Sequence, residues 1–219
     1  MRILVFAPHP DDEVLGCGGT IAKYAYSGSG VFLCVVTKAY KPDWSDEQIS
    51  NQRSTVLKAS KVLGVTNTFF LDFPTVKLDT VPQKELNDAI IGCIKDVSPE
   101  LVIVPHNGDV NLDHRIVFNS VMVAARPMPE TSVKKILSCE ILSETDWAIP
   151  SRVFVPDVYV EITNTLKRKL DAMKIYDTEL KKFPHSRSLE GIVALAQKRG
   201  VEAGVEAAES FKLIREIMA

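Results

Sequence analysis

The fold is decided by the stretch Arg2-Ile3-Leu4-Val5-Phe6-Ala7-Pro8-His9-Pro10-Asp11-Asp12-Glu13. It begins with a short run of apolar residues and ends abruptly in a cluster of polar ones. An apolar run that does not alternate with polar residues is typical of a strand buried on both faces of a parallel sheet. The sequence therefore predicts that the chain begins with a buried strand whose carboxyl end carries polar side chains.

Four more apolar runs follow, at Val31–Lys38, Thr68–Phe73, Leu101–Pro105 and Lys135–Ile141. The segments between the runs have helical periodicity, and one of them opens with a capping box of Ser45 and Gln48 and ends at Gly64. Strands that alternate with helices form a parallel sheet covered on both faces. We therefore expect an α/β, Rossmann-like, three-layer fold with a mostly parallel sheet in the order 3-2-1-4-5.

The sequence changes character after about residue 142. A loop-like segment is followed by a short strand pattern at Val158–Ile162 and by three helical patterns, at Thr165–Leu180, Leu189–Arg199 and Glu202–Met218. The sequence has no internal repeat and no long linker. The simplest prediction is a single domain over 1–219, with a helical C-terminal extension from about 163 to 219.

Composition excludes several classes of protein. With 219 residues and a formal net charge of -2, the chain has no basic field with which to bind nucleic acid. Its four cysteines form no CxxC pair, which favours reduced thiols. No apolar run approaches the roughly 20 residues of a membrane span, and the first run is too short for a signal peptide. We expect a cytoplasmic protein with no integral membrane segment, and the formation of a homo-oligomer stays open.

The first polar cluster predicts part of a metal site. His9 and Asp12 lie three residues apart at the carboxyl end of a strand, where parallel α/β sheets bind their ligands. A histidine nitrogen and a carboxylate oxygen suit zinc or another divalent cation such as Fe²⁺ or Co²⁺. Asp11 lies between these two candidate ligands and cannot point the same way as both His9 and Asp12, so we expect it beside the metal and not bound to it. Glu13 is explained as an acid that favours the helix dipole and braces the loop.

Three glycines raise the alternative of a dinucleotide-binding enzyme. Gly16, Gly18 and Gly19 follow the first strand, but the GxGxxG fingerprint needs Gly or Ala at its last position, where this chain has Ile21. The carboxylates that precede the glycines would also repel a pyrophosphate. Close packing of the first helix against the sheet explains these glycines better.

A second polar cluster follows the fourth strand and ends at His114. Because strands one and four are neighbours in the expected order, both clusters should meet at the topological switch point. His9, Asp12 and His114 would then form a set of two histidines and one carboxylate with an open position for water, which is typical of catalytic zinc. Asp109 and Asp113 are candidates to hold the ligands or the substrate in place.

The two motifs, His9-Pro10-Asp11-Asp12-Glu13 and Asn111-Leu112-Asp113-His114, resemble those of the PIG-L/LmbE-like family of zinc-dependent N-acetyl-sugar deacetylases. The resemblance also includes Arg53 with Leu63-Gly64. It is weaker in a late stretch that contains His185, Arg187, Arg199-Gly200, Glu209 and Phe211. The resemblance implies that His9, Asp12 and His114 bind zinc, that Asp11 is the general base, and that the substrate is a small N-acetylated sugar or glycoside. Some relatives have a histidine where this chain has Asn111. If that histidine assists the leaving group in those relatives, this chain must use another residue, and His106 is the nearest candidate.

Two further residues are open to more than one interpretation. Arg53 lies in an otherwise apolar helical stripe, either as a structural ion pair or snorkelling side chain, or at the rim of the site. Trp147, with Ile149 and Pro150, either covers a helix or forms a rim that binds the sugar ring or its aglycone. The complete set predicted to contact the substrate is Arg53, His106, Asp109, Asn111, Asp113 and Trp147.

The predicted reaction is hydrolysis of an N-acetyl amide by a metal-activated water, with Asp11 accepting the proton. Two alternatives are kept: a nucleotide-dependent enzyme on the same sheet, and a non-catalytic ligand-binding module of the same fold. The incomplete glycine fingerprint argues against the first alternative, and the intact set of His9, Asp11, Asp12 and His114 argues against the second.

Overall fold

The computed structural model describes residues 1–129, 131–148 and 150–218. Within these ranges the strands are β1 Arg2–Ala7, β2 Gly30–Lys38, β3 Asn67–Pro74, β4 Leu101–Pro105, β5 Lys135–Cys139, β6 Val158–Glu161 and β7 Ala208–Glu216. The helices are α1 Asp12–Tyr26, α2 Asp46–Leu63, α3 Gln83–Val97, α4 Leu112–Ala124, α5 Leu166–Met173 and α6 Leu189–Ala203. The predicted capping box at Ser45 and Gln48 opens α2, and Gly64 ends it with a φ of 81°.

All seven strands join one sheet in the order β3-β2-β1-β4-β5-β7-β6. The first five pair in parallel, and β7 runs antiparallel to both β5 and β6. The expected α/β three-layer architecture and the order 3-2-1-4-5 are therefore confirmed. Since β1 lies between β2 and β4, the loops that follow β1 and β4 meet at one edge of the sheet.

The core has two layers, one on each face of the sheet. Ile3 and Val5 of β1 pack into one apolar cluster, whereas Leu4 and Phe6 pack into the other. Successive side chains of a strand point to opposite faces. Both faces of β1 are thus buried, which is why its sequence shows no polar alternation.

The C-terminal part of the chain corrects the sequence prediction. The helical pattern at Glu202–Met218 is wrong: α6 ends at Ala203, and Ala208–Glu216 form strand β7. The expected helix over Thr165–Leu180 is also shorter, covering only Leu166–Met173. Phe211 is completely buried between β5 and β6. Hydrogen bonds to two neighbouring strands override the local helix propensity there, because strand preference depends on tertiary context.

Helix α1 is broken near its middle. Cys17 has a non-helical backbone with φ -150° and ψ 24°. The carboxylate of Glu209, on β7, accepts hydrogen bonds from the backbone N–H groups of Gly19 and Thr20 at 2.9 and 2.7 Å. Lys169 donates to the carbonyl of Leu15 at 2.9 Å and to Glu209 at 2.6 Å. One buried ion pair therefore satisfies backbone groups on both sides of the break.

The glycines of α1 allow the close packing that the sequence predicts. A Cβ added at Gly16 would lie 2.8 Å from the Sγ of Cys139, and one at Gly19 would lie 2.8 Å from Ile162. Cβ atoms in proteins essentially never lie within 3.0 Å of a heavy atom outside their own residue and its chain neighbours. A side chain at either position would therefore push α1 away from its neighbours.

Two further findings concern the cysteines and the helices. All four cysteines are buried and free of disulfide bonds. Among the helices of the described residues, none combines the length and the apolar character that crossing a membrane requires.

Candidate metal centre

Three potential ligand atoms converge where the loops after β1 and β4 meet. The Nδ1 atom of His9 lies 3.3 Å from the Oδ2 atom of Asp12. That oxygen lies 3.2 Å from the Nε2 atom of His114, and the two ring nitrogens are 3.3 Å apart. The predicted meeting of the two motifs is confirmed by this triangle.

The triangle has the dimensions of a metal site. Ligand atoms about 2.0–2.1 Å from a tetrahedral zinc lie about 3.3–3.4 Å from one another. The residues are also well enclosed, since the side chains of Asp12 and His114 are 2% and 0% exposed. The second oxygen of Asp12, Oδ1, is buried and makes no hydrogen bond in the described part of the chain. The donor set therefore fits a divalent cation.

Each histidine is held by a carboxylate on its other nitrogen. The Nε2 atom of His9 lies 3.0 Å from Asp113, and the Nδ1 atom of His114 lies 2.8 Å from Asp109. Each carboxylate accepts a hydrogen bond from the ring N–H, which directs the lone pair of the opposite nitrogen toward the triangle. Both rings are thereby oriented as metal ligands before any ion binds. Of the two roles expected for Asp109 and Asp113, these contacts support that of holding the ligands.

The two carboxylates that hold the histidines, Asp113 and Asp109, accept further hydrogen bonds from neighbouring loops. Asp113 accepts hydrogen bonds from the backbone N–H groups of Val76 and Leu78, at 2.6 and 3.1 Å, in the loop after β3. Asp109 accepts one from the hydroxyl of Thr145 at 2.6 Å, in the segment after β5. The loops after β1, β3, β4 and β5 are thus tied to one centre.

Both histidines of the triangle have raised pKa values, so protons compete with a cation for their ring nitrogens. Burial lowers the pKa of His9, but hydrogen bonds to Asp113 and Asp12 outweigh it and raise the pKa to about 9. Burial likewise opposes the change at His114, where the charges of Asp12 and Asp109 raise the pKa above its usual value. Metal ligands must be deprotonated, so a divalent cation displaces these protons when it binds.

Asp11 lies beside the triangle in a left-handed conformation, with φ 99° and ψ -24°. Its backbone N–H donates to the carboxylate of Glu13 at 3.2 Å, and the hydroxyl of Tyr176 donates to the same carboxylate at 2.7 Å. This conformation costs a non-glycine residue about 1 kcal/mol or more, and these contacts offset the cost. Glu13 thus braces the loop, as the sequence analysis expected.

The carboxylate of Asp11 is buried and paired with Arg187, whose Nη1 atom lies 3.1 Å away. Burial and the charge of Asp12 raise the pKa of Asp11 above its usual value, and Arg187 opposes that rise. A carboxylate with a raised pKa is a stronger base than a free aspartate. The geometry therefore suits proton transfer at Asp11.

The other predicted contact residues have different surroundings. His106 is buried and donates from Nε2 to the carbonyl of Arg152 at 2.9 Å. Asn111 caps α4, because its side chain accepts from the N–H of Asp113 at 3.0 Å. Arg53 forms an ion pair with Asp72, in agreement with the structural interpretation of that residue. For these three positions the contacts explain the residue type without a substrate.

Trp147 is 60% exposed, in a short 3-10 helix at Thr145–Trp147. Its ring meets that of His185 edge to face, with the centroids 6.5 Å apart. Such exposure does not agree with the interpretation that Trp147 covers a helix. Ile149, the second member of the predicted apolar patch, lies outside the described residues.

Sequence reasoning missed the roles of Arg187 and Tyr176. Arg187 follows Pro184, His185 and Ser186 in a stretch that looks like a polar surface loop. It contacts Asp11 from 176 positions away. No local pattern carries that information, and the one signal in the sequence was the weak family resemblance of the stretch that contains Arg187.

The role of Asp109 can be tested through metal affinity. We expect Asp109→Asn to weaken zinc binding by about 10- to 100-fold, because His114 loses the negative charge that raises its basicity. The dissociation constant is measured by competition with a chelator. Asp79→Asn serves as the control and should bind zinc as the wild type does. Asp79 is an exposed carboxylate in the loop after β3, next to Leu78, which bonds to Asp113. Equal affinity in both variants would contradict the role given to Asp109.

The PIG-L family model, described as GlcNAc-PI de-N-acetylase, matches residues 4–125. That range contains both motifs and the whole triangle of ligand atoms. The chain belongs to the PIG-L family. Among PIG-L relatives, an uncharacterized deacetylase, YaiS, from Escherichia coli K12 is 32% identical over 136 residues, which cover 58% of this chain and 70% of that protein.

Two further comparisons extend this likeness beyond residue 125. A probable N-acetyl-alpha-D-glucosaminyl L-malate deacetylase 2 from Bacillus anthracis is 23% identical over 187 residues, 81% of each chain. The solved structure of N,N'-diacetylchitobiose deacetylase from Pyrococcus horikoshii, complexed with an inhibitor, superposes with a TM-score of 0.78. It covers 98% of this chain and 84% of the other, at 20% identity. The likeness in fold to this structure therefore extends over nearly all of the sequence.

Proposed function

We propose that this chain is a metal-dependent hydrolase that removes an N-acetyl group from an amino sugar or glycoside, with zinc as its metal. The observation that carries the proposal is the triangle of His9, Asp12 and His114, with Asp11 beside it. Membership of the PIG-L family and the names of the relatives support the same reaction. Two imidazoles and one carboxylate favour zinc among the divalent cations, with Fe²⁺ and Co²⁺ as the alternatives.

Each residue of the site has a definite part in the reaction. His9, Asp12 and His114 would hold the metal, which when bound lowers the pKa of a water molecule and polarises the acetyl carbonyl. Asp11 accepts the proton of the attacking water on its carboxylate. The water oxygen forms a bond to the acetyl carbon, the amide C–N bond then breaks, and Asp11 returns the proton to the nitrogen of the leaving amine. Acetate and the free amino sugar are the products.

Asp11 serves as both base and acid in this scheme. The Nε2 proton of His106 is already donated to the carbonyl of Arg152, and the amide of Asn111 caps a helix. The ring proton of His106 is therefore engaged, and an amide such as that of Asn111 is too weak an acid to protonate the leaving amine. The burial that raises the pKa of Asp11 also stabilises its protonated form between the two steps.

The proposal is tested by metal analysis together with acetate release. The purified chain is loaded with zinc, Fe²⁺ or Co²⁺ and assayed with N-acetylglucosamine, N,N'-diacetylchitobiose and N-acetylglucosaminyl malate. We expect one metal per chain and the release of acetate from at least one substrate. Metal binding without any acetate release would instead favour a non-catalytic binding module, and tight retention of a nucleotide without metal would favour the nucleotide-dependent enzyme.

Trp147 is proposed to bind the substrate beyond its acetyl group. Sugar rings stack well on exposed indole rings, and the segment of Trp147 begins at Thr145, which is bonded to Asp109. We expect Trp147→Ala to raise KM severalfold or to change the preference among the sugars, with kcat for N-acetylglucosamine little changed. Steady-state kinetics over the panel measures both constants.

The control for this change is Tyr26→Ala. Tyr26 is also exposed, but it lies at the far end of α1, away from the metal centre. Its replacement should leave the kinetics unaltered. An unchanged kcat/KM over the whole panel for Trp147→Ala would remove Trp147 from the substrate rim.

Two broader inferences complete the proposal. We infer one domain over 1–219, because β7 pairs with β5 and Glu209 bonds to α1. We also propose that the protein acts in the cytoplasm, where thiols such as its four free cysteines stay reduced.

A further inference from the structure

Arg187 connects the general base to a second group of residues. Its Nη1 atom donates to Asp11 at 3.1 Å, and its Nη2 atom donates to Glu144 at 3.2 Å. Its Nε atom donates to the hydroxyl of Ser143 at 2.5 Å. Glu179 also accepts from Nη1, at 3.4 Å. A guanidinium presents its donors in a rigid planar fork, so these four acceptors on three segments fix its orientation. Arg187 is thus held by the segment after β5 and faces Asp11.

The orientation of the Asp11 carboxylate needs such a partner. Asp11 occupies the N-cap position of α1, where an aspartate normally accepts a hydrogen bond from the first turn of the helix. Here the side chain makes no capping bond. The N–H groups of Val14 and Leu15 bond instead to the backbone carbonyl of Asp11, each at 2.9 Å. The helix therefore leaves the carboxylate free to turn, and its side-chain partner in the described residues is Arg187.

We propose that Arg187 is a positioning residue, whose guanidinium holds the Oδ2 atom of Asp11 and so aims the Oδ1 atom at the attacking water. This inference rests on the proposed deacetylase function. A reacting group that is misplaced by about 1 Å can lose on the order of 10²-fold in rate. The guanidinium therefore affects turnover through the placement of Asp11, without contact with the substrate.

Arg199 provides a matched comparison within the same chain. It is also mostly buried and bonds to Glu140 at 2.7 and 2.6 Å and to Glu202 at 2.8 Å. The exposed fractions of the two arginine side chains are similar, 18% for Arg187 and 11% for Arg199. Arg199 makes no bond to Asp11 or to the metal triangle in the described residues. A loss of stability alone would therefore appear in variants of both arginines, whereas a loss of positioning would appear only at Arg187.

The experiment compares Arg187→Ala, Arg187→Lys and Arg199→Ala in the zinc-loaded chain, with the panel substrate that the wild type hydrolyses fastest. For Arg187→Ala we expect kcat to fall by about 10- to 100-fold, with KM and zinc affinity little changed. Arg187→Lys keeps the charge without the fork and should give an intermediate kcat. Guanidinium ion added to Arg187→Ala should restore part of the lost turnover. Arg199→Ala should lower Tm but keep kcat.

Two results would overturn the proposal. One is a kcat for Arg187→Ala equal to that of Arg199→Ala, and the other is a loss of kcat that follows Tm and shows no rescue by guanidinium. If the wild type releases no acetate, the proposed function fails, and a crystal structure of Arg187→Ala then decides the positioning role. An unmoved Asp11 carboxylate in that structure contradicts the role, and a rotated one supports it.

Discussion

Replacing His114 with alanine is expected to reduce bound zinc to background and to abolish acetate release. The variant loses one of three ligand atoms that lie 3.2–3.3 Å apart, and the metal supplies several kcal/mol of transition-state stabilisation. A loss of that size lowers the rate by at least about 10³-fold. Metal content is measured on the purified chain, and circular dichroism shows whether the fold is kept.

His106→Gln is the control for the metal content. His106 is a buried histidine that follows the same strand, β4, but its ring bonds to Arg152 and lies outside the triangle. We expect this variant to retain zinc. Full zinc occupancy in His114→Ala would show that the ligand set is wrong, even if its activity were lost.

Replacing Asp11 with asparagine is expected to leave the metal bound and to lower kcat by about 10²- to 10⁴-fold. Asparagine keeps the size of the side chain and can still accept from Arg187, but it cannot take up a proton. Metal analysis and kcat, measured on the same sample, separate the two roles. Asp43→Asn, at an exposed carboxylate in the loop after β2, should change neither quantity. Loss of metal from Asp11→Asn would make Asp11 a ligand.

Much of the fold was predictable because its signals are local. The apolar runs of β1 and β4 exist because both faces of each strand are buried. Once the strand order follows from the alternation of strands and helices, His9 and His114 must approach each other although they are 105 positions apart. The convergence of the three candidate ligands could therefore be predicted from the sequence.

The parts that sequence reasoning missed depend on contacts without a local signature. The segment of β7 has residues that suit a helix, and only the hydrogen bonds to β5 and β6 make it a strand. Arg187 reaches Asp11 because the segments that hold Ser143 and Glu144 place its guanidinium there. Such placements follow from the finished tertiary structure and not from periodicity or propensity.

The ion pair that spans the break in α1 has a consequence for the order of folding. Glu209 bonds to the backbone of Gly19 across 190 positions of sequence, and Lys169 bonds to Leu15 across 154. All the ligand atoms of the metal centre have been synthesised once His114 is made. The break in α1, the helix that carries Asp12, is bridged only when Glu209 is also in place, and contacts between residues so distant in sequence are slow to form. The metal centre is therefore coupled to β7, which lies outside the segment that contains the candidate ligands.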